Sequence, residues 1–168
     1  MKMIRRCTNS EFGTILEIIN DGAQAYRGVI PKGLWHEPYM DDNELTEEVR
    51  DGIVFWGAEK DGELVGVMGI QDKKEVTLIR HAYVRNNLWR QGFGSALLRN
   101  LQALGQTPFL VGTWAGALWA ISFYEKHGYR LVSETEKNLL LRRYWRVPDA
   151  QIATSVVLVD SKWNADGT

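Results

Sequence analysis

Apolar positions along the chain follow two rhythms, one near 3.6 residues and one near 2, and their order predicts the elements. Met3 to Cys7 reads as a first strand; Thr8-Asn-Ser-Glu11 is a capping box, and Phe12, Ile15, Leu16 and Ile19 form the stripe of the helix it opens. From about Ala25 to Met40 the periodicity stops, although Tyr26, Ile30, Trp35, His36, Tyr39 and Met40 keep the stretch aromatic and apolar. Asp41, Asp42 and Glu44 then place acid in the first turn of a second helix carrying Leu45 and Val49 and ended by Gly52. Ile53 to Glu59 and Leu64 to Ile70 are strands joined through the hairpin turn Lys60-Asp61-Gly62, and a polar turn at Asp72-Lys73-Lys74 leads into Val76 to Val84. These three strands predict an antiparallel meander. A helix over Gly94 to Leu104, a strand over Phe109 to Thr113, a helix over Ala117 to His127 and a strand near Leu131 follow. Strand-helix-strand crossovers demand parallel strands, so the sheet is expected to be mixed. Ser133-Glu-Thr-Glu136 is a further capping-box pattern, predicting a helix from Glu136 to Arg146 stopped by Pro148, with a last strand from Ile152 to Val159.

Composition narrows the function classes. With 168 residues, 45% of them hydrophobic and 24% charged, one domain spanning 1–168 is expected, its part from 134 to 168 being the less typical. A formal net charge of −1 points to neither nucleic acid nor an anionic membrane as partner. The single cysteine, Cys7, rules out an intramolecular disulfide and a cysteine-cluster metal site, so no metal is expected and a cytoplasmic location is the simplest setting. Lys2, Arg5 and Arg6 have no apolar stretch behind them, unlike a signal peptide. The uncharged run between Arg99 and Glu125 is long enough to span a bilayer, but Gly105 to Pro108, Gly112 and Gly116 interrupt it, as expected for a buried strand between two helices.

The candidate chemistry centres on His81 to Leu101, which reads as strand, loop and helix. Gly92 and Gly94 at the helix start leave unpaired backbone N–H groups at the positive end of the helix dipole, an anion site suited to a phosphate. Leu97 stands where the dinucleotide fingerprint needs its third glycine, and no Gly-Lys-Ser/Thr of a P-loop is present. The segment does resemble motif A of the GNAT superfamily of acyl-CoA N-acyltransferases, in which Gln or Arg precedes by three a Gly-x-Gly/Ala. Gly92 and Gly94 match, with Val84 eight positions before and Leu97-Leu98 after, while Trp89 takes the Gln/Arg position. Ala120 to Tyr129 is similar to motif B of the same superfamily through Ala120, Phe123, Tyr124, Gly128 and Tyr129; Ala117 replaces the asparagine that often precedes it. Together with the order of elements, the likeness covers most of Met3 to Ser133.

The resemblance implies an α/β fold with a mixed, mostly antiparallel central sheet, flanking helices and splayed central strands; the helix expected before the last strand would be an addition. It implies an N-acetyltransferase moving an acetyl group directly from acetyl-CoA to a primary amine of a small-molecule acceptor; the alternative is a non-catalytic coenzyme A-binding regulatory or interaction module. Carried over position by position, it assigns coenzyme A to Tyr83, Val84, Trp89, Arg90, Gln91, Gly92, Phe93, Gly94 and Ser95. The main-chain N–H of Val84 would lie beside the acetyl carbonyl. Tyr124 would protonate the departing thiolate, its ordinary pKa of about 10 exceeding the thiol's of about 8.5; without the motif, a tyrosine on a helical stripe with Ala117, Ala120 and Ile121 is more often core than catalytic. The proton acceptor stays open between His36, His81 and a water with a remote carboxylate, while His127 at a helix end suits capping. Strand alternation puts Arg80 on the face of Ala82 and Val84, where it would meet an acidic group of the substrate. Trp35, His36 and Tyr39 either wall the acceptor pocket or cover the core, and Trp114 either lines that pocket or packs. Trp145 and Trp163 serve packing or a subunit contact, which leaves a homodimer open.

Overall fold

A computed structural model describes residues 2–164. Its strands are β1 (Met3–Arg6), β2 (Val54–Lys60), β3 (Glu63–Asp72), β4 (Thr77–Val84), β5 (Phe109–Trp114), β6 (Arg130–Leu131) and β7 (Ser155–Val159). Its helices are α1 (Phe12–Ala23), α2 (Asp42–Arg50), α3 (Phe93–Leu104), α4 (Leu118–Lys126), α5 (Glu134–Tyr144) and α6 (Asp149–Ala153). One sheet of seven strands runs in the order β1-β2-β3-β4-β5-β7-β6, antiparallel except for the β4–β5 pair. The predicted meander is β2-β3-β4. β5 and β6 point the same way, as the crossover demanded, with β7 inserted between them.

Helices cover the sheet on both faces. Ile15, Ile18 and Ile19 of α1 pack with Leu45 of α2 on Phe55 and Val67, while Leu97, Leu98 and Leu101 of α3 pack with Ile121 and Tyr124 of α4 on Met68 and Ile79. α5 and α6 close the β5–β7 end through Leu140, Leu141, Trp145 and Ile152. The uncharged run is divided among α3, β5 and α4, and no helix among the described residues is long and apolar enough to cross a membrane. The Glu11 carboxylate accepts the Thr8 N–H at 2.8 Å, closing the first cap through a short 3₁₀ turn at Asn9–Glu11 that precedes α1.

Three expectations need correction. The C-terminal helix spans Glu134–Tyr144 rather than Glu136–Arg146, because Ser133 is its N-cap, accepting the Glu136 N–H at 3.2 Å, and Trp145 is already extended. The last strand starts at Ser155 instead of Ile152: Pro148 caps the short helix α6, and Ile152 is buried from there. Finally, Val49 is exposed on α2, and its place toward the sheet is taken by Glu48, three residues after the buried Leu45.

Two irregularities shape the middle of the sheet. Gly69 pairs with Arg80 but Val67 pairs with Tyr83, so Met68 faces both His81 and Ala82 across a β-bulge, with His81 in the left-handed region at φ 55°. The β4–β5 ladder is also short, ending at Ile79↔Val111. Beyond it the two strands part, and the gap opens between Arg80–Val84 and Gly112–Trp114.

Candidate active site

The loop after β4 delivers the anion cradle. Gly92 takes φ 86°, a conformation that L side chains rarely adopt, and α3 starts directly behind it. The first bonded amide is that of Ala96, donating to Gly92 O at 3.0 Å, so the N–H groups of Phe93, Gly94 and Ser95 have no carbonyl of their own helix to meet. A Cβ on Gly94 would stand 3.4 Å from the Phe123 ring of α4, so glycine also keeps the channel open there. Lys2 sits at the same place, its ammonium 5.4 Å over the Phe93 ring and its chain beside Gly92. Phe93, Gly94 and Ser95 line a cavity of about 810 Å³ that runs from Arg90 and Gly92 past Trp89 and Trp119 to Tyr83, Val84 and Tyr124, with Lys126 also on its wall. A phosphorylated, elongated ligand fits this donor set: amides and a lysine at one end, apolar walls along the length. Gln91 is exposed and does not line the cavity. Trp89 does line it, with its indole N–H donating to Val84 O at 3.1 Å, so it braces the end of β4.

Hydrogen bonding aims the Val84 amide. Arg85 N–H donates to Val65 O at 2.9 Å, which makes the neighbouring Val84/Gly66 pair the non-hydrogen-bonded kind. The Val84 N–H therefore points away from β3, into the gap that β5 has left. Tyr124 reaches the same gap from α4, packed against Phe123 and Tyr129 with ring centroids 5.0 and 5.5 Å away. Burial, and secondarily Tyr26, pushes its phenol well above the ordinary tyrosine range, so it holds its proton.

A second cavity, of about 130 Å³, lies beyond the gap and shares Tyr26, Ala82, Tyr83 and Tyr124 with the first. Tyr39, Arg80, His81, Thr113, Trp114 and Trp145 complete much of its wall. Burial pushes the Tyr39 phenol up and the Tyr26 phenol up to about 12, which keeps both neutral. Gly22 lets α1 approach β4 here, since a Cβ would stand 2.7 Å from Tyr83. Of the aromatic loop, only Tyr26 and Tyr39 line this cavity. Trp35 is half-buried outside it, 5.7 Å from the Tyr39 ring, and His36 is exposed with its Nδ1 2.8 Å from Pro38 O.

The bulge overturns the expected direction of Arg80. By simple alternation Arg80 would share the face of Ala82 and Val84; the extra residue puts it beside His81 and Tyr83, toward α2. Its guanidinium donates to Gln71 Oε1 at 3.0 Å and reaches Glu48 Oε1 at 3.4 Å, while Glu48 also pairs with His81 Nε2. Buried Gln71 ties the group to the end of α2 by donating to Asp51 O at 3.0 Å. Burial alone would raise the Glu48 pKa, but the hydrogen bond and charge of His81, with the charge of Arg80, hold it below the ordinary value. Local sequence does not single out Glu48, Gln71, Lys2 or Trp119; for Glu48 the one signal is its spacing of three from Leu45 on a nine-residue helix.

Known proteins share the fold of this chain. Residues 51–131 match the family model of the acetyltransferase (GNAT) domain. None of the curated proteins matches the sequence. The PaiA N-acetyltransferase of Thermoplasma acidophilum, solved in complex with coenzyme A, superposes with a TM-score of 0.71 at 18% identity, over 97% of this chain and 99% of that one. A GNAT-family acetyltransferase of Staphylococcus aureus Mu50 superposes at 0.70 with 16% identity, over 95% and 98% of the chains. The ribosomal-protein-S18-alanine N-acetyltransferase of Escherichia coli gives 0.66 at 16% identity, over 98% and 96%. The fold is thus that of the GNAT acetyltransferases.

Proposed function

We propose, from the premise that the chain carries a GNAT acetyltransferase domain, that it moves an acetyl group from acetyl-CoA directly to a primary amine of a small-molecule acceptor. The observation that carries this is the meeting of two cavities of unlike character at the parted strands, with the Val84 amide and Tyr124 at their junction. Acetyl-CoA supplies an activated thioester. The Phe93, Gly94 and Ser95 amides with Lys2 hold its pyrophosphate, and Trp89 and Trp119 flank the arm. The Val84 N–H, already aimed into the gap, donates to the carbonyl oxygen as negative charge builds there, a kind of contact that contributes about 10²- to 10³-fold to such reactions. Tyr124 gives its proton to the departing thiolate. The smaller cavity admits a slim amine-bearing arm, and its neutral phenol and indole rings attract a cationic amine. The test is thiol release from acetyl-CoA across a panel of primary amines: amine-dependent release supports transfer, whereas acetyl-CoA binding without it identifies a binding module.

A further inference from the structure

We infer that His81, oriented by Glu48, accepts the proton that the acceptor ammonium loses before it attacks; the inference rests on the acetyl-transfer reading and extends it to the path of the proton. Of the three histidines, His81 alone lines the smaller cavity. His36 is exposed outside it, and His127 lies at the end of α4 with Nδ1 2.8 Å from Phe123 O, on the wall of the larger cavity.

The arrangement is built by the bulge. An unbroken β4 would turn His81 to the α3 face, on which Ile79 lies; the extra residue keeps it on the α2 side, beside Arg80. The ring is then held nearly parallel to Phe55 of β2 and Tyr83, with centroids 6.4 and 6.5 Å away and planes 26° and 22° apart. Its Nε2 meets the Glu48 carboxylate. Pairing Nε2–H with a carboxylate selects the tautomer that leaves Nδ1 as the basic nitrogen, and Nδ1 has no hydrogen-bond partner among the described residues. The charged and titratable groups around the ring are Glu48 from α2, Arg80 and Tyr83 from β4, and Tyr39, edge-on to Tyr83 with ring centroids 6.4 Å apart, from the loop. Arg80 turns its guanidinium to Gln71 and Glu48, and the two phenols stay neutral, so the Glu48 carboxylate is the group that offsets a positive imidazolium. In the step, an N–H bond of the ammonium breaks and its electron pair stays on nitrogen. The proton forms a bond with His81 Nδ1 and later leaves to solvent. Glu48 acts through His81 and is a positioning residue.

The test compares wild type, His81→Asn, Glu48→Gln and the double variant. Asparagine adopts the left-handed backbone of position 81 more readily than most residues, so the bulge and the fold are retained, which the melting temperature checks. The readouts are acetyl-CoA affinity by calorimetry and kcat/KM against pH, with the best acceptor from a panel of benzylamine, putrescine and an alanyl peptide. His81→Asn is expected to lose about 10²- to 10⁴-fold at neutral pH with unchanged acetyl-CoA affinity. Its deficit is expected to shrink about tenfold per pH unit toward the amine's own pKa, because solution then supplies the free base. Glu48→Gln loses a smaller factor, and the double variant falls no further than His81→Asn, as two residues acting as one unit require. Wild-type rates and an unaltered pH profile in folded His81→Asn would overturn the inference and leave acetyl transfer standing. Absence of amine-dependent thiol release by the wild type would remove both.

Discussion

Replacing Tyr124 with Phe separates chemistry from packing. The substitution deletes one oxygen and keeps the ring, so the contacts with Phe123 and Tyr129 at 5.0 and 5.5 Å remain. The phenol makes no hydrogen bond to a described residue, and burial keeps it protonated, so its removal strands no partner and changes no charge near neutral pH. Folding stability should therefore change by less than about 1 kcal/mol, a shift of a few degrees at most in a chain of this size. The thiolate, by contrast, loses its proton donor. General-acid catalysis contributes about 10²- to 10⁴-fold, or about 2.7 to 5.4 kcal/mol of barrier at 1.36 kcal/mol per decade. The assay is steady-state thiol release with calorimetric acetyl-CoA binding on the same preparation. The expected pattern is a fall in kcat of that size, nearly unchanged acetyl-CoA affinity and a melting temperature within a few degrees of wild type. Because the folded phenol titrates above the ordinary tyrosine range, wild-type kcat should show no loss from Tyr124 ionisation below about pH 10. Full turnover in Tyr124→Phe would refute the general-acid assignment and return this side chain to the core.

Other perturbations address other parts of the molecule. Gly92→Val places a β-branched residue at φ 86° and a Cβ 3.3 Å from Lys2, so calorimetry should show acetyl-CoA binding lost while circular dichroism shows the fold kept; unchanged affinity would remove the cradle assignment. Tyr39→Phe removes a polar atom from the wall of the smaller cavity, and should raise the acceptor KM with the acetyl-CoA KM unchanged. Trp35→Ala, outside the cavity, should lower the melting temperature without changing acceptor preference, and the reverse result would put Trp35 in the site. Hydrogen bonds from Arg5, then the Thr8 amide, hold the Glu11 carboxyl down at about 2. Its folded pKa lies below the unfolded one, so its stabilisation is complete above about pH 4.5 and is lost as pH falls toward 2; Arg5→Met should move the acid-unfolding midpoint to higher pH, and no movement would refute the coupling.

Local chemistry determined much of this protein by itself. The stripe of α1, Leu97, Leu98 and Leu101 of α3, the Thr8–Glu11 cap, the hairpin at Asp61-Gly62 and Gly92 before α3 are short-range signals that stand where the sequence placed them, whereas Leu104, at the same spacing, is exposed. Gly92 could be read because φ 86° is a backbone requirement that side chains disclose locally. What the tertiary structure decided depends on partners far along the chain. A one-residue bulge at His81 leaves no mark in composition, yet it reverses the side-chain parity of β4 and carries Arg80 and His81 together to Glu48, more than thirty residues earlier. The parting of β4 from β5 beyond Ile79, which creates the junction of the two cavities, likewise exists only between strands. The aromatic loop shows the same division: its composition left a pocket wall and a cover for the core both open, and only packing decided that Tyr26 and Tyr39 face the cavity while Trp35 and His36 stay outside. Periodicity reports which residues are buried, whereas which buried or half-buried groups meet is set by register and sheet order, and those are properties of the folded chain.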